Sequence, residues 1–187
     1  MNSPASDGGR YIADTFRSHW LLFALVGVLL LVAGAVAVVV PAISSIEPNE
    51  LLALVLAFVG IVQIAQAGKM HGDFLFAWHL TLGLVAALGG VLVYIGPFPG
   101  IVTKTILLAI VFAIHGLTQI AFAVKVRQFD GWQWFLVSGA IALIVAALLI
   151  IKLPYGHTFT PATIGGVSLL FAGLAYLAVA LAARRAH

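Results

Sequence analysis

The sequence predicts an all-α membrane protein in which six transmembrane helices form three tandem helical hairpins. Hydrophobic residues make up 63% of its 187 positions and charged residues only 8%, whereas soluble domains carry about 25% charged residues. Six apolar segments have the length of a membrane span, and a repeat runs through all of them. The length of the chain fits a single domain.

Clusters of turn-forming residues separate the six apolar segments. A helix needs about 20 apolar residues to cross the hydrocarbon core. The segments of this length are 20–40, 51–68, 75–95, 102–124, 133–153 and 162–183. Proline, glycine and aspartate in the breaks end each helix, and a proline closes the first helix (Pro41) and the third (Pro97). Because the links are short, consecutive helices are predicted to be antiparallel, with no room for a soluble domain.

The first segment has one alternative interpretation, a cleaved signal peptide. Arg10 and Arg17 precede it, and residues 35–37 resemble a cleavage site. Its apolar run continues to Val40, however, which is longer than the apolar region of a usual signal peptide. The repeat also needs this helix, so the segment is predicted to remain in the protein.

The basic residues predict the orientation, because short cytoplasmic links carry an excess of lysine and arginine. One side of the membrane has only Lys104 and Lys152. The other side has Arg10, Arg17, Lys69, Lys125, Arg127, Arg184 and Arg185. Both termini are therefore predicted to be cytoplasmic. Residues 1–16 are predicted to form a disordered cytoplasmic tail, and residues 17–187 a single six-helix transmembrane domain.

The repeat is clearest in three octapeptides, one on each returning helix. They are GIVQIAQA (60–67), GLTQIAFA (116–123) and GLAYLAVA (173–180). Their register predicts three superposable hairpins, which span 20–68, 76–124 and 132–181. Each hairpin begins on the cytoplasmic side, so the repeats share one orientation and are related by an axis along the membrane normal. The prediction is a bundle with an approximate pseudo-three-fold arrangement.

Small residues form one stripe on each odd-numbered helix. The glycines of these stripes are Gly27, Gly34, Gly83, Gly90 and Gly139. Small residues on one face let membrane helices approach closely, so these glycines are predicted to be helix-packing residues. Aromatic residues mark the cytoplasmic ends of the same helices and are predicted to form an interfacial belt. They are Trp20, Phe76, Trp78, Trp132 and Trp134.

Together these patterns resemble the HdeD-type acid-resistance membrane proteins of bacteria. The resemblance is carried by Trp20 with Gly27, by the returning octapeptides, by helices that end in proline, and by the segment Phe129-Asp130-Gly131-Trp132-Gln133-Trp134. It covers about residues 17–183. It implies a six-span protein of the bacterial inner membrane, linked to acid or general stress tolerance, and it implies no known catalytic residue.

The sequence offers no site for catalysis or for a cofactor. It contains no GxGxxG, P-loop, HExxH, GxSxG or CxxC motif and no cysteine. Its acidic residues lie in tails and links, whereas a proton-driven pump usually keeps a carboxylate within the membrane. No basic cluster suits nucleic acid. The protein is therefore predicted to be no enzyme, to bind no cofactor or metal, and to have the lipid bilayer as its partner. Homo-oligomers and contacts with other membrane proteins are left open.

Three polar residues, Gln63, Gln119 and Tyr176, occupy equivalent places on the three returning helices. They should lie about 9 Å inside the cytoplasmic ends. They either converge on the pseudosymmetry axis or each bond a carbonyl of the odd helix in the same hairpin. The second arrangement is favoured, because a contact within each hairpin explains the triplication. In both, the three residues are predicted to be intramembrane polar contacts rather than a substrate site.

Two histidines fall within the spans. His79 lies near a cytoplasmic end and is predicted to place its tip among lipid headgroups. His115 lies near the middle of the bilayer, where its sister positions are Val59 and Ala172. It is either a neutral imidazole bonded to a neighbouring helix or a candidate proton-sensing residue, since histidine titrates near neutral pH.

Two functions remain for such a chain. One is a non-enzymatic membrane protein that supports stress tolerance. The other is a small channel or permease for protons or an uncharged solute, and a continuous polar path would favour it. The spans contain polar groups only in patches, which favours the first function.

Overall fold

All the secondary structure is helical in the part of the chain that the computed structural model describes. That part comprises residues 19–43, 47–68, 73–96, 101–128, 131–151 and 160–185. The helices are α1 (Trp20–Ile43), α2 (Pro48–Ala67), α3 (Asp73–Ile95), α4 (Ile101–Lys125), α5 (Trp132–Ile151) and α6 (Pro161–Arg185). The predicted all-α fold with six long helices is confirmed. The predicted tail, 1–16, lies outside the described residues.

Proline and glycine set several of the helix ends. Helices α2 and α6 begin at Pro48 and Pro161, because the first position of a helix needs no N–H donor and suits the fixed φ of proline. Helix α3 stops before Gly96, whose φ is 59°. Helix α1 runs past Pro41 to Ile43, so the predicted end at this proline is two residues too early.

All six helices are long and apolar enough to cross a membrane, with mean hydropathies between 1.9 and 3.0. Large apolar side chains cover their outer faces, as in Leu21, Ile61 and Leu117, each more than half exposed. An exposed apolar surface of this extent is stable only in hydrocarbon. The chain is therefore a multi-pass membrane protein with the bilayer as its surroundings.

The most extensive helix contacts join neighbouring hairpins rather than the two helices of one hairpin. Helix α2 packs on α3, α4 on α5, and α6 on α1. The two helices within a hairpin share fewer contacts. The first and last helices of the bundle are thus direct neighbours.

A reciprocal pair of glycines lies at each of these three contacts. The pairs are Gly27 with Gly173, Gly60 with Gly83, and Gly116 with Gly139. A Cβ atom added to either member would lie 2.6–3.0 Å from the carbonyl oxygen of the other, which is closer than nearly all real Cβ contacts. Gly34 and Gly90 lie at the same contacts, against the backbones of Gly166 and Ala53. All five predicted packing glycines therefore sit where two backbones touch.

Candidate functional site

The candidate functional site is the set of polar side chains buried inside the bundle. They are few, and the rest of the interior is apolar. Those that are at least 97% buried in the described residues are Asn49, Gln63, His79, Thr105, Gln119, Ser138, Ser168 and Tyr176. Asn49 and Thr105 lie near the starts of α2 and α4, whereas Gln63, Gln119 and Tyr176 lie near the opposite ends. The interior polar groups thus occupy separate levels.

His115 and Gln119 form a side-chain pair on one face of α4. Their Nε2 atoms lie 2.8 Å apart, and residues four apart on a helix are neighbours on its surface. If the amide N–H₂ donates to the ring, the neutral imidazole carries its proton on Nδ1. The predicted bond from His115 to a neighbouring helix is therefore not the one observed, since its partner belongs to the same helix.

A small cavity of about 10 Å³ lies beside His115. Its lining residues are Leu56, Ala86, Val111, Phe112, His115, Ser168, Leu169 and Ala172. Leu56, Phe112 and Leu169 are equivalent positions of the repeat, so the cavity lies where the three returning helices face one another. His115 and Ser168 supply its polar groups, and the remaining side chains are apolar.

Gln63 is 1% exposed, and neither atom of its carboxamide has a hydrogen-bond partner among the described residues. The Oε1 atom of Gln119 and the hydroxyl of Tyr176 also lack one. The favoured arrangement, a bond from each group to the odd helix of its own hairpin, is therefore not observed. These three side chains do not bond one another either.

The ring of Tyr176 lies among side chains from all three odd-numbered helices. Its centroid is 6.0 Å from Phe23, 6.0 Å from His79 and 5.4 Å from Phe135. These three residues are equivalent positions of the repeat and converge on one point. Tyr176 therefore fills the interior of the bundle at this level.

The prediction that His79 reaches the headgroups is wrong, because the residue is fully buried. Its ring packs edge-on against Phe23, with centroids 5.4 Å apart. Trp78, expected in the interfacial belt, is also buried and stacks on Phe122 at 4.0 Å. Trp134 is 48% exposed, and its place in an interfacial belt stays a prediction. The sequence did contain one indication that His79 is buried, because this residue is equivalent in the repeat to two phenylalanines, Phe23 and Phe135.

Two carboxylates share one lysine at the opposite end of the bundle. The Nζ atom of Lys104 lies 3.1 Å from Glu50 and 3.4 Å from Glu47. The lysine lies in the first turn of α4 and the glutamates flank the start of α2, so the ion pairs connect two hairpins. Because all three side chains are partly exposed, the contribution of each pair to stability is small. No group of three metal-binding side chains occurs among the described residues.

Gln63→Leu is expected to raise the melting temperature of the protein in detergent, or to leave it unchanged. A buried amide without partners costs about 1–3 kcal/mol of stability, which an apolar side chain of similar size avoids. The sequence-based expectation of structural contacts at Gln63 points the other way, to a lower melting temperature. Scanning fluorimetry distinguishes the two, with Gln133→Leu on the exposed face of α5 as the control.

Comparison with known families identifies the repeat. Residues 25–95 and residues 81–151 each match the family described as a short repeat of unknown function (DUF308). The first residues of the two segments, 25 and 81, are 56 positions apart, which is also the interval between the first two octapeptides, at 60 and 116. No curated protein and no solved structure is significantly similar to the chain.

Proposed function

The chain belongs to the family of short repeats of unknown function (DUF308), and we propose that it is a non-enzymatic membrane protein that supports tolerance of acid or general stress. The HdeD-type family, which the sequence resembles, contains this repeat. The proposal extends to the location that the resemblance implies, the inner membrane of a bacterium.

The observation that carries this proposal over transport is the closed packing between the polar levels. Leu52 and Leu108 are fully buried between Asn49 at one level and His115 at the next. The side chains of Leu52 and Phe112 occupy the space that a Cβ atom on Gly165 would need. An apolar layer of this kind is a barrier to ions and polar solutes. The described residues therefore offer no continuous polar path. A channel or permease would need such a path, whereas the proposed non-transporting protein would not.

Within this function, His115 is proposed to respond to protons. Its neutral ring accepts a hydrogen bond from Gln119, and a protonated ring has only donors, so protonation would force the amide to turn its oxygen toward the ring. No charged side chain lines the cavity beside it. Protonation would therefore place an uncompensated charge among apolar side chains of α2, α3 and α6.

Acid survival of cells that carry or lack the gene tests the proposed function. Cells without the protein should survive acid exposure less well, and the parent protein should restore survival. His115→Val, which takes the residue of sister position 59, should fail to restore it. His79→Phe, which takes the residue found at 23 and 135, should succeed. Equal survival with and without the protein would refute the stress function, whereas rescue by His115→Val would refute only the role of the histidine.

The alternative function is a small channel or permease for protons or an uncharged solute. The polar side chains of His115 and Ser168 in the small cavity favour it, because a permeation path needs polar groups within the bilayer. The purified protein in liposomes with a pH gradient should conduct no protons under our proposal. Protein-dependent dissipation of the gradient would establish the alternative.

Both termini are proposed to be cytoplasmic, on the seven-to-two distribution of basic residues. The chain has no cysteine, so single cysteines can be introduced at Ser45 and at Ser6. In intact cells, a membrane-impermeant thiol reagent should label the first and not the second. Labelling at Ser6 and not at Ser45 would show that the protein has the opposite orientation.

A further inference from the structure

Of the buried polar atoms that have no hydrogen-bond partner among the described residues, four lie on four different helices around one phenylalanine. They are Trp78 Nε1, Gln119 Oε1, Ser138 Oγ and Tyr176 Oη. Each of these side chains is at least 95% buried. Within a membrane protein an unsatisfied buried polar atom is costly, since no bulk water reaches it. Four of them together call for a common ligand.

The four atoms belong to one neighbourhood around Phe135 of α5. Its ring centroid lies 5.4 Å from that of Tyr176 and 6.4 Å from that of Trp78. The indole of Trp78 lies close enough to the hydroxyl of Tyr176 to interact with it, but the two groups do not form a hydrogen bond of normal geometry. Ser138 follows Phe135 by one helical turn and so lies on the same face of α5.

Gln119 joins this neighbourhood from α4. A Cβ atom added to Gly139, the residue after Ser138, would lie 3.1 Å from the Gln119 Cβ. The amide of Gln119 also contacts His115 at 2.8 Å, and His115 borders the cavity of about 10 Å³. A cavity of that size holds about one water molecule. The neighbourhood and the cavity are therefore linked through one side chain.

The hydrogen-bonding capacities of the four groups are complementary to a small neutral ligand. The indole only donates, the carboxamide oxygen only accepts, and the two hydroxyls do both. None of them carries a charge, so an ion would lack a counter-charge here. A ligand that both donates and accepts in several directions and fits beside closely packed rings is water.

We infer that Trp78, Gln119, Ser138 and Tyr176 form an internal water-binding site, continuous through Gln119 with the cavity at His115. Water bridges the four groups and satisfies atoms that the protein leaves unpaired. Buried waters of this kind typically make about three hydrogen bonds and are part of the folded structure. The site does not depend on the proposed stress function, since it follows from hydrogen bonding alone.

Radiolytic footprinting of the full-length protein in nanodiscs, in water enriched with oxygen-18, tests the site. Hydroxyl radicals formed from bound water modify the side chains beside it, so Trp78 and Tyr176 should be oxidised although they are shielded from bulk solvent. The buried Leu30, which lies against apolar neighbours, should stay unmodified, and the exposed Trp134 reports radical delivery. Unmodified Trp78 and Tyr176 beside a modified Trp134 would overturn the inference.

A pair of variants on α4 assigns the water to these residues. Gln119→Leu removes an acceptor from the site and should abolish most of the oxidation of Trp78. Thr118→Val is the matched control, because the Thr118 hydroxyl is already bonded to the carbonyl of Ile114, and it should leave the oxidation unchanged. Equal oxidation of Trp78 in the parent and both variants would show that the water lies elsewhere.

Discussion

Gly60→Val is expected to destabilise the folded bundle by about 3 kcal/mol, the upper end of the range for overpacking a core. A Cβ atom at this position would lie 2.6 Å from the carbonyl oxygen of Gly83 and would overlap the backbone nitrogen of Ala87. Neither obstacle is a side chain that can rotate away, so α2 and α3 would have to separate. Reversible unfolding of the purified protein in mixed micelles measures the loss.

Gly68→Ala is the matched control, at the residue that follows the same octapeptide. There the nearest atom to an added Cβ, the carbonyl oxygen of Ala65, is 3.7 Å away, which is ordinary contact. The stability should change by a few tenths of a kcal/mol at most, as at other exposed positions. If Gly60→Val were as harmless as Gly68→Ala, the close approach of α2 and α3 would be wrong.

A chain that ends at residue 155, and so lacks α6, is expected not to accumulate in the membrane. Helix α6 makes the most extensive helix contact of the bundle, with α1. Its loss would expose the glycine face of α1 and remove Tyr176 from the aromatic cluster. Small-residue faces of this kind associate only through close packing, which lipid chains cannot replace. Immunoblots of membrane fractions measure the amount of protein.

Co-expression of residues 156–187 as a separate peptide should restore accumulation of this shortened chain. The rescue should fail when the peptide carries Gly173→Val, because the added side chain meets the carbonyl oxygen of Gly27 at 2.8 Å. Normal accumulation of the shortened chain alone would contradict the importance of the α1–α6 contact.

The helices and their contact faces could be predicted from the sequence because the bilayer imposes both. Hydrocarbon thickness fixes the length of a span, and close approach requires glycine. The stripes that include Gly27 on α1 and Gly83 on α3 could therefore be predicted from the sequence. The sequence did not predict which helices these stripes join, because a stripe can face either of the two helices next to it in the bundle. The structure pairs α2 with α3 and leaves the helices of each hairpin in looser contact.

The site was harder to predict, because the position of a residue along a helix gives its depth in the membrane but not the direction in which its side chain leaves the helix. His79 and Trp78 lie near the start of α3, yet their side chains are buried in the bundle. The repeat supplies the rotation that depth alone does not. Because His79 is equivalent to Phe23, a buried phenylalanine at position 23 implies that the side chain of His79 is buried as well. The absent partners of Gln63 could not be foreseen, because hydrogen bonds depend on distances between helices.

The reciprocal glycine contacts have a consequence for assembly. Each joins a returning helix of one repeat to the outgoing helix of the next, which is a head-to-tail, heterologous interface. Such interfaces form rings when the rotation between units closes and open filaments when it does not. Here the third contact, between Gly173 and Gly27, returns to the first repeat, so the ring is complete within one chain. A single repeat with the same faces would reach this closure only as a homotrimer. Among the described helices all three copies of this glycine interface are used within the chain, so an oligomer would need a different surface.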